Sequence, residues 1–324
     1  MKQQVVNLAL QGGGSHGAFT WGVLDRLLED ERVAIEGISG ASAGALNGAI
    51  LAYGLTSGGR EAARRALSRF WTGVADTLPS ALAESLVFLA RFLSPQQFNP
   101  LNLNPLRDIL LAQIDFGRLR AECEQELFIA ATNVRTGKPR LFRTHEITAD
   151  VLLASTCLPW IHRTVEIDGE AYWDGGLSAN PPVRPLLYDC ESRDIVLVLL
   201  QPMQAPALPI SVDDIWSRLT EMGFSSALHA ELEGIALAQR DALRSLLPVG
   251  RLERRLRRLR LHRICAPLAA SMHSRFNTRS VFMHALHEAG REQADGWLRQ
   301  AFGPKSQPRG APAALTASAS DVTR

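Results

Sequence analysis

Residues 40–44 read Gly40-Ala41-Ser42-Ala43-Gly44, a serine held between two alanines and two glycines. A serine at a sharp strand-to-helix turn stands clear of the backbone, and its neighbours must be small because strand and helix nearly touch there. An apolar run precedes this segment and a helix-forming run follows it. Such a helix directs its N-terminal amides and positive dipole end at the serine. Ser42 is the candidate nucleophile and Gly40 and Gly44 its supports; an ordinary small-residue loop is the alternative.

Attack on a carbonyl also needs donors aimed at the developing oxyanion. Gln11-Gly12-Gly13-Gly14-Ser15-His16-Gly17 stands between an apolar run at 5–10 and helical spacing at 18–30, where Phe19, Val23, Leu24, Leu27 and Leu28 share a face. Successive glycine amides can point one way because no side chain blocks the backbone. Gly12, Gly13 and Gly14 are the candidate oxyanion donors, with Gly17 closing the motif and Ser15 a candidate helix cap. Gly12, Gly14 and Gly17 also satisfy the dinucleotide fingerprint, with Glu36 about where a ribose-binding acid belongs. A second strand at 33–38 runs straight into the Ser42 turn, which favours the oxyanion reading.

The serine needs a base. Two Asp-Gly pairs stand close together, Asp168-Gly169 and Asp174-Gly175-Gly176. The first lies between two alternating segments and is explained as a hairpin turn. Asp174, before a proline-rich bend, has no such explanation and is the candidate base, with Gly175 and Gly176 as motif support; a plain loop aspartate is the alternative. An ordinary triad would recruit one of the eight histidines, His16, His145, His162, His229, His262, His273, His284 or His287, and the chain order favours those after Asp174. None of them carries a loop signature.

The elements that must carry these residues follow from periodicity. Apolar runs at 5–10, 33–38, 127–132 and 194–200 read as buried strands. Residues 136–139 read as a hairpin turn with a return strand at 140–143, and 163–173 as a second hairpin. Helices are expected at 43–55, closed near Ser57-Gly58-Gly59, and at 60–71, up to Leu111 after a cap at Asn104, at 150–155, within 210–247 and at 282–298. Residues 78–92 read as a core helix, with a mobile flap or interfacial helix as the sharper alternative. Residues 251–263 hold seven arginines and one acid, with Leu252, Leu256 and Leu259 on one helical face, and read as a basic amphipathic helix with a solvated arginine face over a leucine seam, contact with anionic lipid being the alternative.

The chain has 324 residues and a net charge of +2, long enough for a large core and too near neutrality for a nucleic-acid binder. Cys123, Cys157, Cys190 and Cys265 are scattered without a Cys-x-x-Cys pair, which suggests neither a metal site nor a disulfide framework. No run approaches the ~20 apolar residues of a membrane span. The expectation is a cytoplasmic protein, with peripheral membrane contact left open. It is also a single domain at 1–302, with a helical insertion around 60–125, C-terminal helices around 210–302 and a disordered tail at 303–324. No cofactor is expected, and the oligomeric state is not legible.

Together these motifs resemble the patatin-like phospholipase family. The likeness runs over Gly12-Gly13-Gly14-Ser15-His16-Gly17, then Gly40-Ala41-Ser42-Ala43-Gly44, then Asp174-Gly175-Gly176, with Ala154-Ser155-Thr156-Cys157-Leu158-Pro159 upstream of the aspartate. It implies a patatin-type three-layer α/β/α sandwich with a mostly parallel central sheet and extra helices. It also implies a Ser–Asp dyad without a catalytic histidine, acting on a lipid or acyl-ester substrate. One position departs: the family usually carries Arg or Lys where this chain has His16. An acyltransferase using the same serine, or a non-catalytic lipid- or nucleotide-binding module, would share the same residues.

Overall fold

The structure, a computed structural model, describes residues 3–77, 94–203, 208–245, 250–267 and 273–302. The expectations for 78–92 and for the tail at 303–324 fall outside the described residues. An eight-stranded sheet organises the rest. Its strands are β1 (Gln4–Leu10), β2 (Val33–Ala41), β3 (Glu126–Asn133), β4 (Pro139–Arg143), β5 (Val165–Ile167), β6 (Glu170–Asp174), β7 (Asp194–Leu199) and β8 (Arg260–Cys265). The pairs β1–β2, β1–β7, β2–β3 and β7–β8 are parallel, whereas β3–β4, β3–β6 and β5–β6 are antiparallel.

Both faces of the sheet are covered, so its parallel strands are apolar on successive residues rather than alternating with polar ones. Val6, Leu8 and Leu10 pack into one core with helices α1 (Gly17–Glu29) and α2 (Ala43–Thr77). Ala9, Ile195, Leu197 and Leu199 pack into a second core on the other face, with Leu186, Leu228 and Leu232. Three layers result, as expected. The helix α2 contains the break foreseen near Ser57-Gly58-Gly59, since Gly58 and Gly59 leave helical geometry. Helix α3 (Pro105–Gln113) starts at Asn104, but no side-chain bond caps it. Short helices α4 (Phe116–Glu122), α5 (Ala149–Ser155) and α6 (Arg184–Asp189) follow, then the 33-residue α7 (Val212–Arg244).

The arginine-rich stretch departs from expectation. Its helix, α8, covers only Arg251–Arg258, and the chain then becomes β8 at the sheet edge. The Gln239 amide donates to the carbonyls of Leu256 (3.0 Å) and Leu259 (2.9 Å), satisfying the helix end where the chain turns extended. In β8, Arg260 and His262 both reach Asp194, at 2.7 and 2.8 Å, so polar side chains that read as a solvated helix face serve instead to fasten an edge strand. Arg255 and Arg257 donate to backbone carbonyls of Cys190 and Ala242. The arginines are thus partly spent inside the protein.

The last helix, α9 (Ser280–Phe302), lies against α1. Gly22 and Gly290 let the two backbones approach so closely that a Cβ at either would overlap a carbonyl of the other helix. Asp25 of α1 receives Arg64 at 2.7 Å, and Arg291 and His287 of α9 flank its other oxygen. Burial opposes ionisation of Asp25, but His287, Arg64 and Arg291 hold its carboxyl well below the usual carboxylate range. The segment that precedes α9 is thereby anchored beside the glycine loop. No helix among the described residues is long and apolar enough to cross a membrane.

Candidate active site

Strand β3 brings the serine and the acid together. On one edge it pairs with β2 as far as Ala41↔Ala130. Its next residue, Ala131, pairs with Asp174 of β6. Since β4 runs along the opposite edge past Ala131 and Thr132, β6 must take up the edge that β2 vacates. The chain leaves β2 at Ser42, so the turn and Asp174 become neighbours at the point where one strand ends and the other enters.

The turn itself is strained. Ser42 has φ 53°, the left-handed region, which costs an L-residue roughly 1–2 kcal/mol. Surrounding contacts hold it there. Its amide donates to the buried Ser155 hydroxyl at 2.9 Å, and its carbonyl accepts from the Leu46 amide at 3.1 Å as α2 begins. Gly44 is required because a Cβ there would overlap the Leu10 carbonyl of β1. A strained residue at a strand-to-helix elbow is where a nucleophile is presented.

Asp174 is 1 % exposed. Its amide donates to Cys157 O at 2.8 Å, and its carbonyl accepts from Thr132 Oγ1 at 2.7 Å. Oδ1 accepts from the Gly176 amide at 2.7 Å. Oδ2 is buried with no partner of ordinary hydrogen-bond geometry, although the Ser42 hydroxyl is near enough to favour the charged form. Burial dominates and pushes the carboxyl up to about 7, against the opposing pull of Ser42, the Gly176 amide and Arg275.

The glycine loop is a short 3-10 turn, Gly14–His16, leading into α1. Ser15 does not cap that helix; the cap position is His16, without a side-chain bond. Gly12 abuts the elbow: a Cβ there would lie 2.7 Å from both Ala41 O and Ser42 Cβ. The Gly12 amide is already engaged, donating to Asn180 Oδ1 at 2.6 Å. Among the described residues, the amides of Gly13 and Gly14 make no hydrogen bond. Asn180, fully buried, also donates to Phe224 O at 3.1 Å, tying the loop to α7. Gly12→Ala is expected to lower kcat/KM by ~100-fold, because both atoms it would strike are fixed parts of the elbow. Steady-state kinetics beside a thermal melt check this, and undiminished turnover would show that the loop does not bear on Ser42.

Glu36, the acid of the competing nucleotide reading, accepts from the amides of Glu191 and Ser192 at 2.6 and 2.7 Å and is committed to that loop. Of the histidines, His162 lines the same cavity as Ser42 and Asp174, whereas His262 is bonded to Asp194 and His287 lies beside Asp25 and Glu288. His16 donates to or accepts from Ser274 Oγ at 2.9 Å. Burial, helped by Arg275, lowers the His16 ring to about 4, so it is neutral.

The cavity measures about 610 Å³ and is walled by Leu46, Phe70, Trp71, Leu106, Leu158 and Phe224. Asn180 and Arg275 line or support the site without having been singled out in the sequence, and Ser155, quoted there only as part of the Ala154–Pro159 likeness, proves to hold the Ser42 amide. Asn180 follows the Asp174 glycines and precedes two prolines, the one local hint available. Arg275 has no sequence signal at all.

A family model described as patatin-like phospholipase matches residues 8–187. The chain belongs to that family. Its three motifs, at Gly12–Gly17, Gly40–Gly44 and Asp174–Gly176, all fall within the matched span. Among curated proteins of known name, a cGAMP-activated phospholipase of Escherichia coli (strain TW11681) is 30% identical over 200 residues, covering 56% of this chain and 54% of that protein. The chain thus spans about half the length of that curated relative. Among solved structures, VipD of Legionella pneumophila aligns with a TM-score of 0.44 at 16% identity, over 93% of this chain and 67% of its own. ExoU, in its complex with SpcU from the type III secretion system of Pseudomonas aeruginosa, aligns with a TM-score of 0.39 at 15% identity, over 92% and 51%.

Proposed function

We propose that this family member is a serine-dependent lipid acyl hydrolase of phospholipase A or lysophospholipase type, working through a Ser42–Asp174 dyad. The observation that carries the reading is a buried carboxyl beside a strained serine, both lining an apolar cavity. Asp174 accepts the Ser42 proton as Oγ attacks the ester carbonyl. The tetrahedral oxyanion is received by the free amides of Gly13 and Gly14, with Gly12 spent on fixing the loop through Asn180. Collapse of the intermediate expels the alcohol, which takes the proton from Asp174. Water, deprotonated by Asp174, then attacks the acyl-enzyme, and the fatty acid leaves as Ser42 regains its proton.

An aspartate of ordinary pKa, ~3.9, is a weak base toward a hydroxyl. Raised to about 7, it matches the working pH far better. The sign of the pH dependence follows. Protonated Asp174 cannot act, so kcat/KM rises with pH through about 7 and levels off above it. The test is a panel of phospholipid, lysophospholipid, triglyceride and p-nitrophenyl butyrate, with the pH profile taken on whichever ester turns over. A profile flat from pH 5 to pH 9 would remove Asp174 from the role of base. Hydrolysis of none of the esters would reject the activity itself.

A further inference from the structure

The glycine loop of this chain carries no cation, because His16 is neutral. The site nevertheless contains a positive charge. Arg275 comes from the short turn before α9, far along the chain from the loop, and is 7 % exposed. It lines the cavity together with Gly12, Gly13, Gly14, Ser42 and Asp174. Its backbone carbonyl packs against Gly14, whose φ of 60° and lack of a side chain permit that contact. Its neighbour Ser274 holds the His16 ring.

The guanidinium is short of partners. Among the described residues, Nε and Nη2 are buried without any hydrogen bond. Two acids influence it electrostatically, Glu221 and Asp174, and neither is bonded to it. Glu221 is already paired with Arg218 at 3.3 Å. Asp174 spends its Oδ1 on the Gly176 amide. Arginine stays charged in proteins, and a buried charge without a counter-ion is strongly disfavoured unless something completes it. An incoming tetrahedral oxyanion matches the planar fork of donors and supplies the missing charge.

We propose that Arg275 forms an anion subsite of this active site, binding a phosphate group carried by the acyl-ester substrate. The inference rests on the esterase reading above and adds the residue that selects among esters. An acyl chain occupies the apolar wall, its ester lies over Ser42, and the phosphate beyond the ester meets Arg275. Selectivity then comes from a charge-assisted contact that an uncharged ester cannot make.

The test compares 1-palmitoyl-lysophosphatidylcholine with 1-palmitoylglycerol, which has the same acyl ester and no phosphate, in identical detergent micelles. Wild type, Arg275→Met and Arg275→Lys are assayed at pH 8.5, above the Asp174 transition, so that a shift of that group does not confuse the result. Arg275→Met is expected to lower kcat/KM for the lysophospholipid ~100-fold and for palmitoylglycerol by about 5-fold or less. Arg275→Lys, which retains the charge without the fork, is expected to recover most of the discrimination. Equal losses on both esters, or no loss on either, would overturn the inference. If Arg275→Met fails to melt cooperatively, Arg275→Lys decides, since a lysine variant with no discrimination despite a native melt also overturns it. Competitive inhibition of palmitoylglycerol hydrolysis by inorganic phosphate, combined with an ester preference that ignores residue 275, would assign the subsite to free phosphate instead. A wild-type protein inert toward both esters rejects the esterase reading and this inference with it; an active one that fails only the comparison rejects this inference alone.

Discussion

Ser42→Ala is expected to lower kcat for every ester by ~10³-fold or more while the protein still folds. In the proposed mechanism the hydroxyl forms the covalent intermediate, and nothing else in the elbow could replace it. The contacts that hold the turn are main-chain ones. The amide of residue 42 donates to Ser155 Oγ at 2.9 Å and its carbonyl accepts from Leu46 at 3.1 Å, and alanine keeps both. Alanine meets the same left-handed φ of 53° that serine already endures, so the strain is carried over rather than added. Ser42→Gly removes that strain and serves as a matched control: it should be equally inactive yet at least as stable as the alanine variant. The measurements are turnover of the preferred ester, labelling by a fluorophosphonate probe, and thermal midpoints. Residual turnover within tenfold of wild type would exclude Ser42 as the nucleophile, whatever the geometry suggests.

How much of this was legible depends on how local each determinant is. The elbow and the glycine loop could be read because steric demands act between near neighbours in sequence: Gly44 exists to clear β1, and Gly12 to clear the elbow. The Asp168-Gly169 turn was legible for the same reason, and both residues have positive φ as a tight hairpin requires. The buried strands β1, β3 and β7 announced themselves as apolar runs. Strand β8 did not, because its arginines and histidine alternate within a stretch whose leucines also fit a helix. What decided its state was Asp194 of β7, far away in sequence, together with the Gln239 amide on α7. Arg275 and Asn180 were illegible on the same ground. A buried arginine and a buried asparagine look ordinary in sequence, and become informative only when the fold shows what they face. The family resemblance supplied the Ser–Asp pairing early; the strand register explains why the pairing is geometrically available.

Asp174→Asn is expected to do two things that no structural residue would do together: lower kcat ~10³-fold or more and raise stability at alkaline pH. The activity loss follows because an amide cannot accept the Ser42 proton. The change in shape is small, since Asn can still present an oxygen to the Gly176 amide, now 2.7 Å from Oδ1. The stability gain follows from linkage. In the unfolded chain the carboxyl titrates near 3.8, whereas in the folded protein burial raises it to about 7. The native state therefore holds a proton that the unfolded state has lost across that window, and wild-type stability falls as pH rises through it. Above about 7 the fold must carry a buried carboxylate, at a cost on the order of 4 kcal/mol at ~1.4 kcal/mol per pH unit. Asparagine carries no such charge at any pH. Its midpoint should exceed that of wild type by several degrees at pH 8.5, and the difference should shrink toward zero by pH 4. Groups common to both proteins, the buried Glu231 among them, cancel in this comparison. Melts of the two proteins at both pH values therefore isolate residue 174. An aspartate serving only to hold the Gly175–Leu177 turn after β6 would give a variant that is less stable at both pH values. The pairing of lost turnover with gained alkaline stability is the mark of a carboxylate kept in an unfavourable place for its chemistry.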